Sequence, residues 1–555
     1  MNLNLPARRK ATDSSLITKP EAVRDWVDNL PLINTEKSRV MLEEALTDIN
    51  SVSIPTRNRH EILELLATSV MCVTEAMKKS FLTKPIPLKD NDLLLSTQTV
   101  QLCNQMATGY RILADDLGKS DSQAALLTLA IHRALRYLSE LLLTNYQIYV
   151  QYPDGLWKTI NSLYALAEQH DITTHPVTDT TLSTAAQSTI NTVYKQILLM
   201  SLACPYRLRQ KEIHFVYNAL MDWADIARLH HMDSDHSAGL FAVNLHADNP
   251  PSYRTLIDDK AQDRHWRVLD TTSMAERIRS ILEQQPGERR KIGIGDSNIL
   301  QRLMLAWGVM PQRRFPRHAR SAKVALVAGL NAVHQRIIEP ATEAGLGENS
   351  IEDQHYLQDP TFEATTTINT DRFNQGGRRI VTAGKTPVQK AGDGQQTDSA
   401  RIESWTMANF SAGGYSLLWD STDSSNAQVG ELVAIIEEDK LDEDDWQPGV
   451  VRWMKCTDSN DLELGIQMLS PSAQAVWTSL YESSVHSGKK MRGIMLPEIR
   501  ALQQQASLIL PTLPFRPGCT ATLETAASME NIKLTHQLEN TGSFAQYHFT
   551  TAIND

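Results

Sequence analysis

The chain has 555 residues, enough for more than one domain, and its 41% hydrophobic and 21% charged residues are ordinary for a globular protein. Its formal net charge of −11 at pH 7 argues against general binding of DNA or RNA. The five cysteines form no paired motif, the N-terminus lacks the apolar core of a signal peptide, and no apolar run reaches membrane-spanning length, so we expect a cytoplasmic protein without a membrane span.

The first long part of the chain has the pattern of helices. Apolar residues such as Leu42, Leu46 and Ile49 recur at the spacing of one helix face. The run from Ala124 to Tyr149 is apolar on most sides, which is typical of a helix surrounded by others. We therefore predict an all-α bundle or stack over residues 20–230.

A mixed α/β segment follows. Leu240–Leu245 and Trp266–Leu269 have the composition of strands, and Met274–Gln285 that of a helix. The cluster His230–His236 contains metal-ligand residue types, but no matching distal set accompanies it. We therefore expect a polar helix exit there, and no metal site.

A basic cluster comes next, with Arg313, Arg314 and Arg317 inside five residues and Pro316 stiffening the backbone before the last of them. Guanidinium groups pair bidentately with phosphate oxygens and with the O6/N7 edge of guanine. Directly after the cluster, Lys323–Leu330 is predicted to be a strand. This pattern favours a local site for a compact anion.

A second polar stretch suits the end of a strand. Asn409 and Ser411 have short side chains that hydrogen-bond locally, and Gly414 permits positive φ. The residues after it, Tyr415–Trp419, have the composition of a further strand. Together with the arginines, this turn would suit an anionic ligand that carries guanines.

These two stretches resemble the motif of the PilZ family of cyclic di-GMP receptors. The family pattern is Arg-x-x-x-Arg, which Arg313 and Arg317 match, followed by [Asp/Asn]-x-Ser-x-x-Gly, which Asn409, Ser411 and Gly414 match. Three later segments also resemble the family's barrel strands: Val429–Ile435, Gly449–Trp453 and Leu464–Leu469.

The resemblance implies a six-stranded antiparallel barrel and the ligand cyclic di-GMP, with no other cofactor. It also implies that the motif arginines hold phosphates and guanine edges while the polar turn shapes the pocket around a base. The ligand-binding residues implied in this way are Arg313, Arg314 as an auxiliary, Arg317, Asn409, Ser411 and Gly414. The two halves of the motif are unusually far apart, because a polar insertion runs from about residue 339 to 398.

The end of the chain is less determinate. Pro471–Glu482 is predicted to be a short closing helix, and the residues from Met491 to Phe549 have the composition of strands. These strands either extend the barrel or form a second β unit. The predicted domains are a flexible leader (1–19), a helical domain (20–230), a mixed linker (231–301), a PilZ-like barrel with the insertion (302–482) and a β-rich C-terminal extension (483–555).

The predicted fold class is therefore α+β. We find no Gly-x-Ser-x-Gly and no HExxH motif, so we do not expect an enzyme. The leading functional interpretation is a cyclic di-GMP receptor that transmits binding to a protein partner through its helical domain. The alternative is a helical adaptor whose barrel is a protein-interaction module without nucleotide. The pathway, the ligand stoichiometry and the choice between self-association and partner docking stay open.

Overall fold

The structure is a computed structural model, and it describes residues 5–10, 18–119, 123–179, 186–232, 239–257, 264–283, 297–308, 316–342, 401–411, 413–419, 423–443, 445–481, 489–500 and 503–552. Over these ranges the chain forms a helical domain, a small mixed sheet and two closed β-barrels. The predicted α+β class is confirmed. Among the described helices, none is both long and apolar enough to cross a membrane.

The helical domain contains eight α-helices. Their bounds are α1 Pro20–Asp28, α2 Thr35–Ser51, α3 Thr56–Phe81, α4 Asp90–Leu117, α5 Ala124–Gln147, α6 Leu156–Gln169, α7 Ile190–Leu202 and α8 Gln210–Trp223. Helix α5 packs against α4, α6, α7 and α8, and most of its circumference is buried. The prediction that the run from Ala124 forms a surrounded helix is therefore confirmed.

Part of the N-terminal segment lies against the helical domain. Strand β1 (Arg9–Lys10) pairs in parallel with β2 (Val52–Ser53). A separate antiparallel pair, β3 (Val177–Asp179) with β4 (Ala186–Ser188), lies between α6 and α7 in the chain. Arg8 donates bidentately to Asp116 of α4 at 2.6 and 2.9 Å. Residues 5–10 of the predicted flexible leader are thus docked by a strand pair and an ion pair.

The mixed segment forms a four-stranded antiparallel sheet with the order β5-β8-β6-β7. Its elements are β5 Arg228–His231, β6 Phe241–Asn244, β7 Ser252–Tyr253, β8 Trp266–Asp270, and the helices α9 Thr272–Glu283 and α10 Ser297–Gly308. The two predicted strands and the first helix are confirmed. The predicted helix exit is wrong at His230 and His231, because both lie in β5, where the pairing with β8 satisfies their backbone.

The first barrel closes with the strand order β10-β11-β14-β13-β12-β9, and every pair is antiparallel. Its strands are β9 His318–Ala328, β10 Glu403–Ser411, β11 Gly414–Trp419, β12 Leu432–Glu437, β13 Gln447–Cys456 and β14 Leu462–Met468. All the strands predicted for this region are confirmed. The predicted insertion lies outside the described residues beyond residue 342.

The interior of the first barrel is continuous with the core of the helical domain. Buried Trp405 and Leu464 of the barrel belong to the same apolar cluster as Leu135 of α5. The backbone N–H of Cys456 donates to the carbonyl of Tyr149 at 2.8 Å, at the edge of this junction. The first barrel and the helical domain therefore share one core.

The C-terminal strands form a second closed antiparallel barrel with the order β15-β16-β17-β20-β19-β18. Its strands are β15 Gln474–Leu480, β16 Met491–Leu496, β17 Ser507–Leu510, β18 Thr520–Glu524, β19 Met529–Asn540 and β20 Ala545–Thr551. The predicted helix at Pro471–Glu482 is wrong, because β15 occupies most of it and pairs with β16 and β18. Counted from each barrel's first strand, the two barrels have the same strand order.

A helix that sequence reasoning missed lies between the barrels. Helix α11 (Leu330–Thr342) follows β9 and packs on β9 and β12 of the first barrel and on β15 and β16 of the second. Its Val333 joins an apolar cluster that contains Leu432 from the first barrel and Ile494 from the second. The two barrels are thus joined through an apolar interface with α11 at its centre.

Candidate functional site

A surface pocket of about 240 Å³ opens at one end of the first barrel, and we call it the barrel-end pocket. It lies where the start of β9, the β10–β11 turn and the strands β13 and β14 meet. Its described lining residues are Arg317, Asn409, Ser411, Gly413, Gly414, Tyr415, Arg452, Trp453, Gly465, Ile466 and Gln467. Two of these are arginines and none is acidic, so the described lining favours an anion.

A bulge in β10 turns polar side chains toward the pocket. The pairing of β10 with both neighbours shifts register between Met407 and Asn409. Met407 is buried in the barrel, whereas Asn409 and Ser411 after the bulge are half-buried and line the pocket. A β-bulge changes which face the following side chains point to, and this is how the motif residues leave the core.

The turn after β10 is tight. Ser411 pairs with Gly414 across it, and the Ser411 hydroxyl accepts from the N–H of Gly413 and donates to the carbonyl of Gly414, both at 3.4 Å. Gly414 has φ +152°, and a Cβ there would collide with the carbonyl oxygen of Ile466 on β14. Only glycine fits this close approach of two backbones.

The lining residues that sequence reasoning missed include three with polar or aromatic side chains on β13 and β14: Arg452, Trp453 and Gln467. A second bulge, between Val451 and Trp453, places Arg452 and Trp453 in the same pocket although they are consecutive in a strand. Side chains normally alternate along a strand, so the alternation rule does not predict that these neighbours share a site.

The Trp453 indole lies over Gly465, its register partner on β14, so closely that a Cβ at Gly465 would collide with the ring. The half-buried ring therefore forms one flat wall of the pocket. An interior strand glycine often marks a close approach, so Gly465 is a sequence signal for such a contact, but only the strand pairing shows that Trp453 makes it.

The rim of the pocket also contains Tyr415. Burial raises the pKa of the Tyr415 phenol above its ordinary value, and the nearby Glu437 carboxylate raises it further. The neutral hydroxyl thus remains a hydrogen-bond donor at physiological pH. Glu437 itself accepts bidentately from Arg320 of β9 at 3.0 and 2.7 Å. The positive charge of Arg320 partly offsets the effect of Glu437 on the pKa of Tyr415.

The structure brings Arg317, Asn409, Ser411 and Gly414 into one pocket. Arg317 is exposed and immediately precedes β9. The other two residues predicted for the site, Arg313 and Arg314, lie outside the described residues. Among the described residues, no group of three histidine, cysteine or acidic side chains is placed to hold a metal ion.

Comparison with known proteins gives three consecutive matches along the chain. The N-terminal domain of the cyclic-di-GMP receptor FimW matches residues 21–235, its middle PilZ domain matches residues 240–475, and its C-terminal beta-barrel domain matches residues 477–552. The chain is 26% identical to the cyclic-di-GMP receptor FimW of Pseudomonas aeruginosa over 580 aligned residues, which cover 100% of this chain and 94% of that protein. No solved structure matches the chain. On these matches the chain belongs to the PilZ-domain family of cyclic di-GMP receptors.

Proposed function

We propose that this chain is a receptor that binds cyclic di-GMP in the barrel-end pocket. The observation that carries the proposal is that Arg317, from the chain before β9, lines one pocket with Asn409, Ser411 and Gly414 from a turn far along the chain. The matched relative is named as a receptor for the same nucleotide, which supports the choice of ligand.

The chemistry of the lining fits this ligand. Cyclic di-GMP presents phosphodiester anions and guanine edges, and a guanidinium group recognises both bidentately. In the proposal Arg317 makes such a contact. Arg313 and Arg314, which are not among the described residues, are proposed to make contacts of the same kind. Asn409 and Ser411 hydrogen-bond the ligand, and Gly414 permits a close approach of the backbone.

The aromatic wall extends the motif. Every nucleobase has a π face, and stacking of one base on an aromatic side chain is worth about 1–3 kcal/mol. The Trp453 ring, held over Gly465, offers such a face within the pocket. We therefore include Trp453 in the proposed site as the surface on which a guanine stacks.

Transmission to a partner is proposed to run through the helical domain, because the first barrel shares its core. Besides the contact between Cys456 and Tyr149, the Asn460 amide donates to the carbonyl of Leu88 at 3.0 Å. The Arg209 guanidinium at the start of α8 donates to the carbonyl of Val429 at 2.8 Å. A change at the barrel end thus has a continuous path to helices on which a protein partner would dock. A role in transmitting nucleotide binding to a protein partner suits a cytoplasmic protein, and so do the free cysteines.

The test is calorimetric titration of the full chain with cyclic di-GMP, in the wild type and in Arg317→Ala. Loss of one charge-assisted bidentate contact is expected to cost on the order of 2–3 kcal/mol, or roughly 30- to 150-fold in Kd. The matched control is Arg401→Ala, because Arg401 is an exposed arginine just before β10, at the other end of the same barrel. This control should bind like the wild type.

Absence of binding by the wild type would contradict the receptor proposal. It would favour the alternative of a helical adaptor whose barrel is a protein-interaction module that binds no nucleotide. Equal losses in Arg317→Ala and Arg401→Ala would show that general charge, and not the pocket, attracts the ligand. Chromatography of the ligand after long incubation completes the test, since a receptor without catalysis returns cyclic di-GMP unchanged.

A further inference from the structure

The barrel-end pocket contains a side chain that the second barrel holds. Arg452 lines the pocket, and its Nη2 donates to Oε2 of Glu539 on β19 at 3.0 Å, while its Nη1 donates to Oε1 of the same carboxylate. Its Nε donates to Oε1 of Gln467, another lining residue, at 2.8 Å. A guanidinium of the proposed nucleotide site is therefore paired with a carboxylate from a different domain.

Local backbone irregularities create this pair. Arg452 is the extra residue of the β13 bulge, between Val451 and Trp453. The register of β19 with β20 likewise shifts between Gln537 and Glu539. A bulge re-aims side chains, and these two bulges aim opposite charges at each other across the gap between the barrels.

The position of the pair allows Arg452 to exchange Glu539 for another acceptor. The side chain of Arg452 is 34% exposed and that of Glu539 is 19% exposed, so a ligand in the pocket can reach the guanidinium without unfolding either barrel. An anionic ligand in the pocket would offer the guanidinium a second acceptor, in competition with the Glu539 carboxylate. Arg452 cannot offer its paired Nη1/Nη2 fork to both partners at once.

We infer that Glu539 is a built-in competitor of the nucleotide: it holds Arg452 while the pocket is empty and loses it to a ligand phosphate on binding. The inference rests on the proposed function of the same pocket. It makes Arg452 a ligand-binding residue outside the family motif, and it makes the second barrel the part of the molecule that senses occupancy.

The loop that follows the strand carrying Glu539 contacts the helical domain. Beyond the end of β19, the hydroxyl of Ser543 accepts from Arg209 Nη2 at 2.6 Å and donates to Oε2 of Glu431 at 2.8 Å. The helical domain, the first barrel and the second barrel thus meet at Ser543, a few residues from Glu539. Release of Glu539 acts on the strand that leads directly into this junction.

The first experiment measures cyclic di-GMP affinity by calorimetry in Glu539→Gln, with Glu530→Gln as the control on the same strand. Removal of the competing charge should tighten Kd roughly fivefold, the scale of a partly exposed ion pair. Glu530 lies at the other end of β19, so its variant should leave Kd unchanged. An unchanged or weaker Kd in Glu539→Gln would overturn competition, because a carboxylate that merely orients Arg452 helps binding.

A double variant separates competition from long-range charge. In an Arg452→Ala background, Glu539→Gln should no longer affect Kd, whereas a persisting gain would mean that Glu539 acts on the ligand without Arg452 and would overturn the inference. These substitutions change only partly exposed side chains, and the apolar contacts around α11 between the barrels are kept. The variants are therefore expected to fold.

Hydrogen exchange supplies a readout apart from affinity. In the wild type, ligand should accelerate exchange of the amides around Glu539, and in Glu539→Gln this ligand effect should be lost. No ligand effect in a wild type that binds would overturn the inference and leave the receptor proposal intact. A wild type that does not bind would overturn both.

Discussion

The two barrels share one strand order and differ in what their ends contain. In the first, the second and third strands are joined by the tight turn between Ser411 and Gly414, and an exposed arginine, Arg317, precedes the first strand. In the second, the corresponding connection runs through residues 497–506, and Ala473 precedes the first strand. The same topology therefore carries the residues of the proposed nucleotide site in one copy and lacks them in the other.

The comparison also separates the cores. The interior of the first barrel is part of the core of the helical domain, whereas Leu508, Leu523 and Leu534 of the second barrel form a cluster of their own. The second barrel meets the rest of the molecule through the apolar cluster that it shares with α11 and the first barrel, and through polar contacts such as the pair between Arg452 and Glu539. The two barrels share a topology, and in the proposal the side chains at the end of the first barrel decide where the ligand binds.

The largest expected effect comes from the close backbone approach in the first barrel. Gly414→Ala places a methyl group against the carbonyl of Ile466 and strains positive φ, so we expect a loss of roughly 2–4 kcal/mol in the free energy of unfolding and loss of ligand binding. Denaturant unfolding and calorimetry measure the two effects.

The matched change in the second barrel is Gly493→Ala, where the nearest atom to a new Cβ is the movable Cδ2 of Leu510 at 2.9 Å. We expect a cost of about 1 kcal/mol and an unchanged Kd for cyclic di-GMP. Equal effects of the two substitutions would contradict the claim that only the first barrel depends on such a contact for binding.

A smaller effect is expected from the aromatic wall. Trp453→Ala removes the proposed stacking surface and should weaken cyclic di-GMP binding by about 1–3 kcal/mol, as measured by calorimetry. Trp453→Phe should retain most of the affinity, because it keeps an aromatic face. Trp477→Ala, in β15 of the second barrel, should change stability but not Kd. A Trp453→Ala variant with wild-type affinity would rule out stacking on this ring.

Most strands could be predicted from the sequence, because short apolar runs rich in β-branched and aromatic residues are a local signal. The segments that form β12, β13 and β14 are predicted by their resemblance to the PilZ family's barrel strands, and their burial does not alternate strictly. Strand β15 was mistaken for a helix because a short apolar run is ambiguous, and pairing with β16 and β18 decides its conformation. Closure of the second barrel was equally out of reach, since it depends on pairing between distant strands.

The site divides in the same manner. Asn409, Ser411 and Gly414 could be found because a tight turn requires particular residue types at fixed spacing. Arg452 and Trp453 could not, because consecutive residues share a pocket only where a bulge interrupts the strand, and the register shift depends on the neighbouring strand. Glu539 could not be found either, since it pairs with the lining residue Arg452 from another domain.

The smallest expected effect concerns the joint between the barrels. His334 of α11 is 1% exposed, and its Nε2–H donates to the carbonyl of Val476 on β15 at 3.2 Å. Burial, together with the smaller effect of the nearby Arg492 guanidinium, lowers the pKa of His334 to about 4. The folded protein thus keeps this imidazole neutral, whereas the unfolded chain takes up a proton below its ordinary pKa of about 6.5.

The folded state therefore binds fewer protons than the unfolded state between about pH 4 and 6.5, so this contribution is fully present above that window and is lost as the pH falls through it. At pH 5 the loss should be about 1–2 kcal/mol relative to pH 7. His334→Gln keeps a donor for Val476 but does not titrate, so urea denaturation at the two pH values should show a smaller acid-induced loss for this variant. If the wild type and the variant lose equal stability, the imidazole does not govern the acid sensitivity of the joint, and the barrels are held by their apolar contacts alone.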